Sequence, residues 1–280
     1  MTNSSFIVGD AGGTKTQWRV FREGKISQFN TIGFNAYTHN IEDLRESIIQ
    51  NLEDELAAET PVYLYAAGVD TEEQKLEVEN ELRKVLGQKL KVRNDLVGAS
   101  RALCGDTAGN VCILGTGANA CYYDGSTVNK VSASLGYVLG DEGSGAYLGK
   151  KLLMGVFREQ ISKDIIAAFQ EEFNLTSHKV IQQIYHKPRP NHFLASFAPF
   201  VLKHKSHPEI YRLIYDAFVD FHHAFFFRNE HTSEALHFSG SIAYHFSDVL
   251  RQVGLDRGFE IKNIIESPIA GLVLYHQDHG

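Results

Sequence analysis

Short apolar runs set between glycine turns open the chain. Residues 5–8, 17–21 and 25–31 are short runs of β-formers and predict three strands joined by tight turns, the second turn at Glu23-Gly24. At Ile41 the period changes. Ile41, Leu44, Ile48, Ile49, Leu52 and Leu56 recur at helical spacing and predict a helix over 41–58. Residues 61–67 then read as a buried strand. A charged helix follows over 71–86, with Thr71 as N-cap ahead of Glu72 and Glu73, then a strand over 89–93 and a helix from Asp95 to 103. The order is β-β-β-α-β-α-β-α, and from Asn110 it starts again. Residues 110–114, 120–123 and 127–133 predict strands, and 142–169 one long helix. A helical insertion covers about 176–229, and strand 235–238, helix 241–253, strand 259–262 and helix 268–276 complete the pattern. A repeated order of this kind sets the architecture before any single residue does.

The turn of the first hairpin carries chemistry. Residues 9–16 read Gly-Asp-Ala-Gly-Gly-Thr-Lys-Thr. Glycines let backbone N–H groups approach an anion, while the hydroxyls and Lys15 add donors. Asp10 would repel a phosphate unless a cation lay between them, which points to Mg²⁺ and a nucleotide. An ordinary glycine-rich hairpin is the plain alternative for this segment alone. About a hundred residues later the pattern returns: an apolar run, then Gly115-Thr116-Gly117-Ala118-Asn119, then a second apolar run. Two commoner phosphate motifs fail. Thr14 stands where a P-loop needs its second glycine, and the segment after Lys15-Thr16 is strand-like. Gly115, Gly117 and Ala120 match the dinucleotide spacing but also lead into a strand.

The 280 residues suit about two domains. A net charge of −7 with scattered basic residues excludes a nucleic-acid or anionic-membrane partner, and no apolar run reaches the roughly 20 residues a membrane span needs. With no signal-peptide pattern and three cysteines lacking C-x-x-C spacing, a cytoplasmic protein with reduced, core cysteines is expected. Seven of the 13 histidines lie between His204 and His245 without metal-ligand spacing, and most of them read as surface or helix-cap residues. The aromatic run Phe218, Phe221, Phe225, Phe226 and Phe227 reads as core or dimer surface.

Two such units with a phosphate hairpin in each resemble the superfamily of sugar and acetate kinases, actin and the seventy-kilodalton heat-shock chaperones. The likeness covers essentially the whole chain and is nearest to the N-acetylglucosamine kinase family, grouped with activator ATPases of acyl-CoA dehydratases and reductases. It implies an α/β fold of two ribonuclease-H-like domains around an ATP cleft, with a helical insertion in the second. The domains would be 1–108 and 109–267, the final helix, about 268–280, packing back on the first. Residues 10–16 look like the first phosphate motif, with Asp10 on the metal side and Gly12, Gly13, Thr14, Lys15 and Thr16 on the phosphates. Gly115, Thr116 and Gly117 look like the second, and Gly240-Ser241 like the adenosine motif. The run Gly140-Asp141-Glu142-Gly143-Ser144-Gly145 is the most specific match, although an acidic helix N-terminus accounts for its acids.

The same resemblance places the catalytic base at Asp95, where a carboxylate accepts the proton of the attacking hydroxyl. A plain N-cap role for that acid is compatible. It assigns sugar binding to Asn35, Gly68, Asp95, Leu135, Gly136 and Asp141. The family's usual Gly-Gly-Trp-Gly is here Ala133-Ser134-Leu135-Gly136, so Leu135 replaces an aromatic beside the acyl group. The implied function is ATP- and Mg²⁺-dependent phosphorylation of an amino sugar by a homodimer. N-acetylglucosamine, giving its 6-phosphate, is the leading substrate, with glucosamine and N-acetylmuramic acid open. The alternatives are a dehydratase-activating ATPase and a non-catalytic ATP-binding sensor.

Overall fold

A computed structural model describes residues 5–52, 59–227 and 234–279. The chain divides into two compact units, one of Met1–Ala108, Tyr123–Val128 and Ser267–Gly280, the other of Gly109–Tyr122 and Asn129–Glu266.

In the first unit β1 (Phe6–Ala11), β2 (Lys15–Arg22) and β3 (Lys25–Ile32) form an antiparallel meander. Glu23 and Gly24 both hold positive φ between β2 and β3, as a tight hairpin of this length demands. Helix α1 (Ile41–Leu52), β4 (Val62–Ala66), α2 (Glu72–Leu86), β5 (Leu90–Asn94) and α3 (Asp95–Cys104) follow. The sheet order is β3-β2-β1-β4-β5, with β1, β4 and β5 parallel. One face buries Ile7, Leu64 and Val92 under Leu44 and Ile48 of α1 and Val78 and Leu82 of α2. On the other, Phe6, Val8 and Tyr65 pack with Leu272 and Val273, and α3 lies beside the chain's last helix. Trp18 is a fully buried core residue, and a Cβ on Gly9 would come within 2.5 Å of its ring. Only glycine leaves room for that indole on the neighbouring strand.

The second unit repeats the plan. It contains β6 (Gly109–Leu114), β7 (Ala118–Tyr123), β8 (Val128–Lys130), α4 (Gly136–Leu139), α5 (Gly145–Phe157), α6 (Lys163–Phe173), α7 (Ser177–His186), α8 (Pro190–Ala195), α9 (Ala198–Lys203), α10 (Pro208–Phe226), β9 (Leu236–Ser239), α11 (Ser241–His245), α12 (Ser247–Arg257) and β10 (Ile261–Ile265). The terminal helix α13 (Ile269–His279) belongs to the first unit and contacts α3, β1 and β2. Read from β8, the second sheet runs β8-β7-β6-β9-β10, the same order as the first. Its core is aromatic: Phe169, Phe197, Phe200, Phe218, Phe221 and Phe238 are all buried.

Several expectations shift. The helix expected over 142–169 is two helices. After α5, Glu159 turns left-handed (φ 52°), with Glu159 N–H on the Val156 carbonyl and Gln160 N–H on the Gly155 carbonyl. That bond pair closes a helix end and redirects the chain into α6. The 127–133 strand contracts to β8. The 241–253 helix breaks at Phe246, and the 259–262 strand begins two residues later because Phe259 N–H still closes α12 on the Gly254 carbonyl. Phe218, Phe221, Phe225 and Phe226 lie in the unit's own core, which removes them from any dimer surface; Phe227 is exposed. His237 is not a surface residue. It is buried in β9, its Nδ1 3.1 Å from Asn263 Nδ2. The end of the 41–58 helix, insertion residues 228–229 and His231 lie outside the described residues.

Candidate active site

Parallel strands bring their carboxyl ends to one edge, and the first unit gathers its candidate residues there. Ala11, Ala66 and Asn94 stand in register across β1, β4 and β5. Asp10 precedes Ala11 on β1 rather than lying in the turn, and shares a face with Phe6 and Val8. The turn itself is Gly13-Thr14, closed by the Gly12 N–H on the Lys15 carbonyl at 3.1 Å. Thr14 and Lys15 are exposed at this turn. Thr16 is separated from them: it is fully buried, and its hydroxyl donates to the Ile32 carbonyl at 2.8 Å.

The 33–36 segment packs directly on this turn. Phe34 N–H donates to the Gly12 carbonyl at 3.0 Å, and a Cβ on Gly33 would sit 2.4 Å from the Gly13 carbonyl oxygen. Backbone therefore touches backbone at Gly33, and the contact fixes Asn35 relative to the hairpin. Asn35 bridges in parallel to Ala67. Gly68 follows with φ 75°, and a Cβ there would fall 2.6 Å from Asn35 Oδ1. Two residues expected to share one task, Asn35 and Gly68, thus lie against each other.

Asp95 opens α3 after the N-cap Asn94. The Leu96 N–H is shared between Asn94 Oδ1 (2.8 Å) and Asp95 Oδ1 (2.9 Å), which sets the direction of the Asp95 carboxylate. Burial, and next the negative charge of Asp95, push the Asp10 carboxyl up to about 7 from its ordinary 3.8. Donation from Ser267 and the charge of Lys15 oppose that rise. Ser267 Oγ lies 3.3 Å from Asp10 Oδ2 and 2.6 Å from Gln17 Oε1.

The second unit assembles the other set. In the β6–β7 turn the Gly115 N–H donates to the Gly117 carbonyl at 3.0 Å. The Gly115 and Thr116 carbonyls accept the Gly145 and Ala146 N–H groups at 2.8 and 3.1 Å, seating the turn on the start of α5. Gly240, at φ 119°, would drive a Cβ to 2.2 Å from the Leu114 carbonyl oxygen, so it too meets this turn, with exposed Ser241 next along α11. Asp141 joins them: its Oδ1 accepts the Ala118 N–H at 3.1 Å, and both its oxygens lie against Gly117. Burial leads in raising its pKa. Ser144 caps α5 through the Tyr147 N–H. Leu135 is exposed at the start of α4, and Gly136 follows at φ 67°.

Sequence reasoning did not find Gly33, Tyr37, Asp70 or Ser267. Asp70 stands one residue before the α2 cap and could have been suspected from that turn. Ser267 sits 257 residues from Asp10 and carries no local signal. Ser267 Oγ and Gln17 Oε1 bring oxygen atoms to the Asp10 carboxylate, a donor type that suits a hard cation such as Mg²⁺, and a carboxyl this reluctant to ionise alone is one that a cation would relieve. Among the described residues no group of three or more His, Cys, Asp or Glu side chains could by itself hold a metal ion.

A solved structure from Porphyromonas gingivalis, provisionally named an N-acetylglucosamine kinase, matches with a TM-score of 0.92 and 37% identity, over 98% of this chain and 99% of that one. A ROK family glucokinase from Streptomyces griseus, solved with glucose and AMPPNP, matches in fold at a TM-score of 0.60 and 17% identity, over 99% and 100% of the two chains. The curated N-acetyl-D-glucosamine kinase of Dictyostelium discoideum is 28% identical over 177 residues, 56% of each chain, so the match spans about half of that relative. No protein-family profile matches the chain. Fold and paired glycine hairpins together define a protein of the sugar-kinase class. Within that class, the chain belongs to the N-acetylglucosamine kinase family.

Proposed function

We propose that this protein transfers the γ-phosphoryl group of ATP to a hydroxyl of an amino sugar, N-acetylglucosamine before others, to give the 6-phosphate. The supporting observation is the cluster of Asp10, Asn35, Gly68 and Asp95 at the carboxyl edge of β1, β4 and β5. Asp95 accepts the proton of the attacking hydroxyl as the new O–P bond forms and the bond to the departing ADP oxygen breaks. Asn35 and the backbone at Gly68 hold sugar hydroxyls, and Asp141 accepts another. Leu135 and Gly136 border the acyl group. Within the hairpin turns at Gly12–Lys15 and Gly115–Gly117 the Gly12 and Gly115 N–H groups close the turns, the remaining backbone N–H groups receive the phosphates, and Gly240-Ser241 the adenosine. Thr16 spends its hydroxyl on the Ile32 carbonyl, so it contributes by holding the start of β2 to β3 rather than by donating to a phosphate. Mg²⁺, when bound, would neutralise charge on the phosphates, and Asp10 is the side chain that would hold it.

The test is a coupled ADP-release assay with Mg²⁺-ATP over glucose, glucosamine, N-acetylglucosamine, N-acetylmannosamine and N-acetylmuramic acid. N-acetylglucosamine should give the highest kcat/KM. Asp95→Asn should lower kcat about 10²–10⁴-fold while still binding nucleotide. Undiminished turnover in Asp95→Asn would remove Asp95 from the base role, and silence across the whole panel would overturn the kinase reading.

A further inference from the structure

Asn94 does more than start α3. Its Oδ1 shares the Leu96 N–H with Asp95, while its Nδ2 donates to the Val69 carbonyl and to Asp70 Oδ1, each at 3.2 Å. The other Asp70 oxygen accepts the Tyr37 hydroxyl at 3.1 Å. Tyr37 in turn donates its backbone N–H to Asn35 Oδ1 at 2.9 Å. Asp70 is itself anchored, because the Asp70 and Thr71 N–H groups both donate to Gln74 Oε1, at 3.0 and 3.1 Å, in the capping box of α2. One carboxylate therefore ties the loop that presents Asn35 to the turn that presents Asp95.

We propose that Asp70 is a positioning residue: by bridging Tyr37 and Asn94 it holds the sugar-side amide of Asn35 and the carboxylate of Asp95 in one frame. The proposal deepens the kinase reading and rests on it for the roles of those two residues. Tyr37 is 65% exposed, yet it is fixed at both its hydroxyl and its backbone N–H. A solvent-facing aromatic held at both ends beside Gly68 is a preformed wall rather than a free side chain. Small displacements of reacting groups are costly, since an error of about 1 Å can remove 10²-fold in rate.

Asp70→Ala and Tyr37→Phe test it, with Asp70→Asn as the conservative partner that can still bridge. In the sugar-free protein, hydrogen exchange should quicken together in peptides spanning 33–39 and 92–98 of Asp70→Ala, with peptides spanning 6–11 unchanged. In kinetics, Asp70→Ala should lower kcat/KM for the sugar about 10–100-fold, with KM for ATP within about twofold of wild type. Asp70→Asn should recover most of that loss. Tyr37→Phe, which alters only an exposed hydroxyl, should raise KM for the sugar, and in Asp70→Ala it should add nothing. Unchanged exchange at 92–98 in Asp70→Ala overturns the tether. An equal rise in KM for both substrates with a lowered Tm reduces Asp70 to a structural role and likewise overturns it. A wild-type protein inactive on every sugar would refute the kinase reading instead, and the exchange result would still decide the tether.

Discussion

A carboxylic acid enclosed beside another acid resists ionisation, and Asp10 is in that position. Its folded value of about 7 lies above its ordinary 3.8. Between those values the native state holds a proton that the unfolded chain has released, so this group's contribution to stability declines as pH rises from about 4 through 7. Cation binding needs the carboxylate and runs the other way. Asp10→Asn should therefore melt above wild type at pH 8, and the difference should close near pH 4. Calorimetry of Mg²⁺-nucleotide binding at pH 6 should show wild type releasing about one proton, absent in the variant. A melting difference that does not grow with pH would contradict this account. The Gly-Asp-Ala-Gly-Gly-Thr-Lys-Thr motif made Asp10 legible in the sequence. The same string did not separate Thr16 from Lys15; that follows from strand alternation, which turns one of two neighbours into the core.

Elements were legible where local chemistry and tertiary packing agree. Thr71 and Gln74 form a full capping box, and α2 starts where the pattern placed it. The α5–α6 break was not legible, because its left-handed residue is Glu159 rather than glycine, a choice that only surrounding structure enforces. The packing of α13 shows the same limit in its chemistry. Arg101 Nη1 donates to the Tyr65 oxygen at 2.8 Å, and the same hydroxyl lies 2.9 Å from His276 Nε2, to which it donates when the imidazole is neutral with Nε2 unprotonated. Burial first, then the charges of Arg101, Arg93, His279 and Lys91, bring His276 down to about 4. The unfolded chain takes up its proton near 6.5, so this anchor weakens as pH falls from about 6.5 through 4. From pH 7 to 5 the loss should be about 2 kcal/mol, read from urea midpoints. His276→Gln, which keeps an acceptor but cannot charge, should flatten that dependence. An equal acid response in both proteins would rule out His276 as its source.

Two units of one plan carry cores made of different residues: aliphatic residues with Trp18 and Phe34 on the α1–α2 face of the first, a phenylalanine cluster in the second. Phe221 lies near the centre of that cluster, with ring centroids 5.0 Å from Phe225 and 5.9 Å from Phe238. Phe221→Ala should cost about 3–5 kcal/mol. Native-state hydrogen exchange should show the loss in peptides of Gly109–Tyr122 and Asn129–Glu266, with those carrying Ile7, Val8 and Leu64 keeping their protection. Uniform loss over all of these would mean that the chain opens as one cooperative body. The repeat was legible as alternating strands and helices, but its chemical symmetry was not. β1 and β6 share one burial pattern, and at their fifth positions stand Asp10 and Ile113. Aligned residue by residue, the halves thus set an ionisable group against hydrocarbon. In the folded chain the second turn has a carboxylate after all, Asp141, supplied from 23 residues beyond Ala118. The two halves share the scaffold but draw the carboxylate from different stretches of chain, so a residue-by-residue comparison of the halves finds the frame and misses its matching acid.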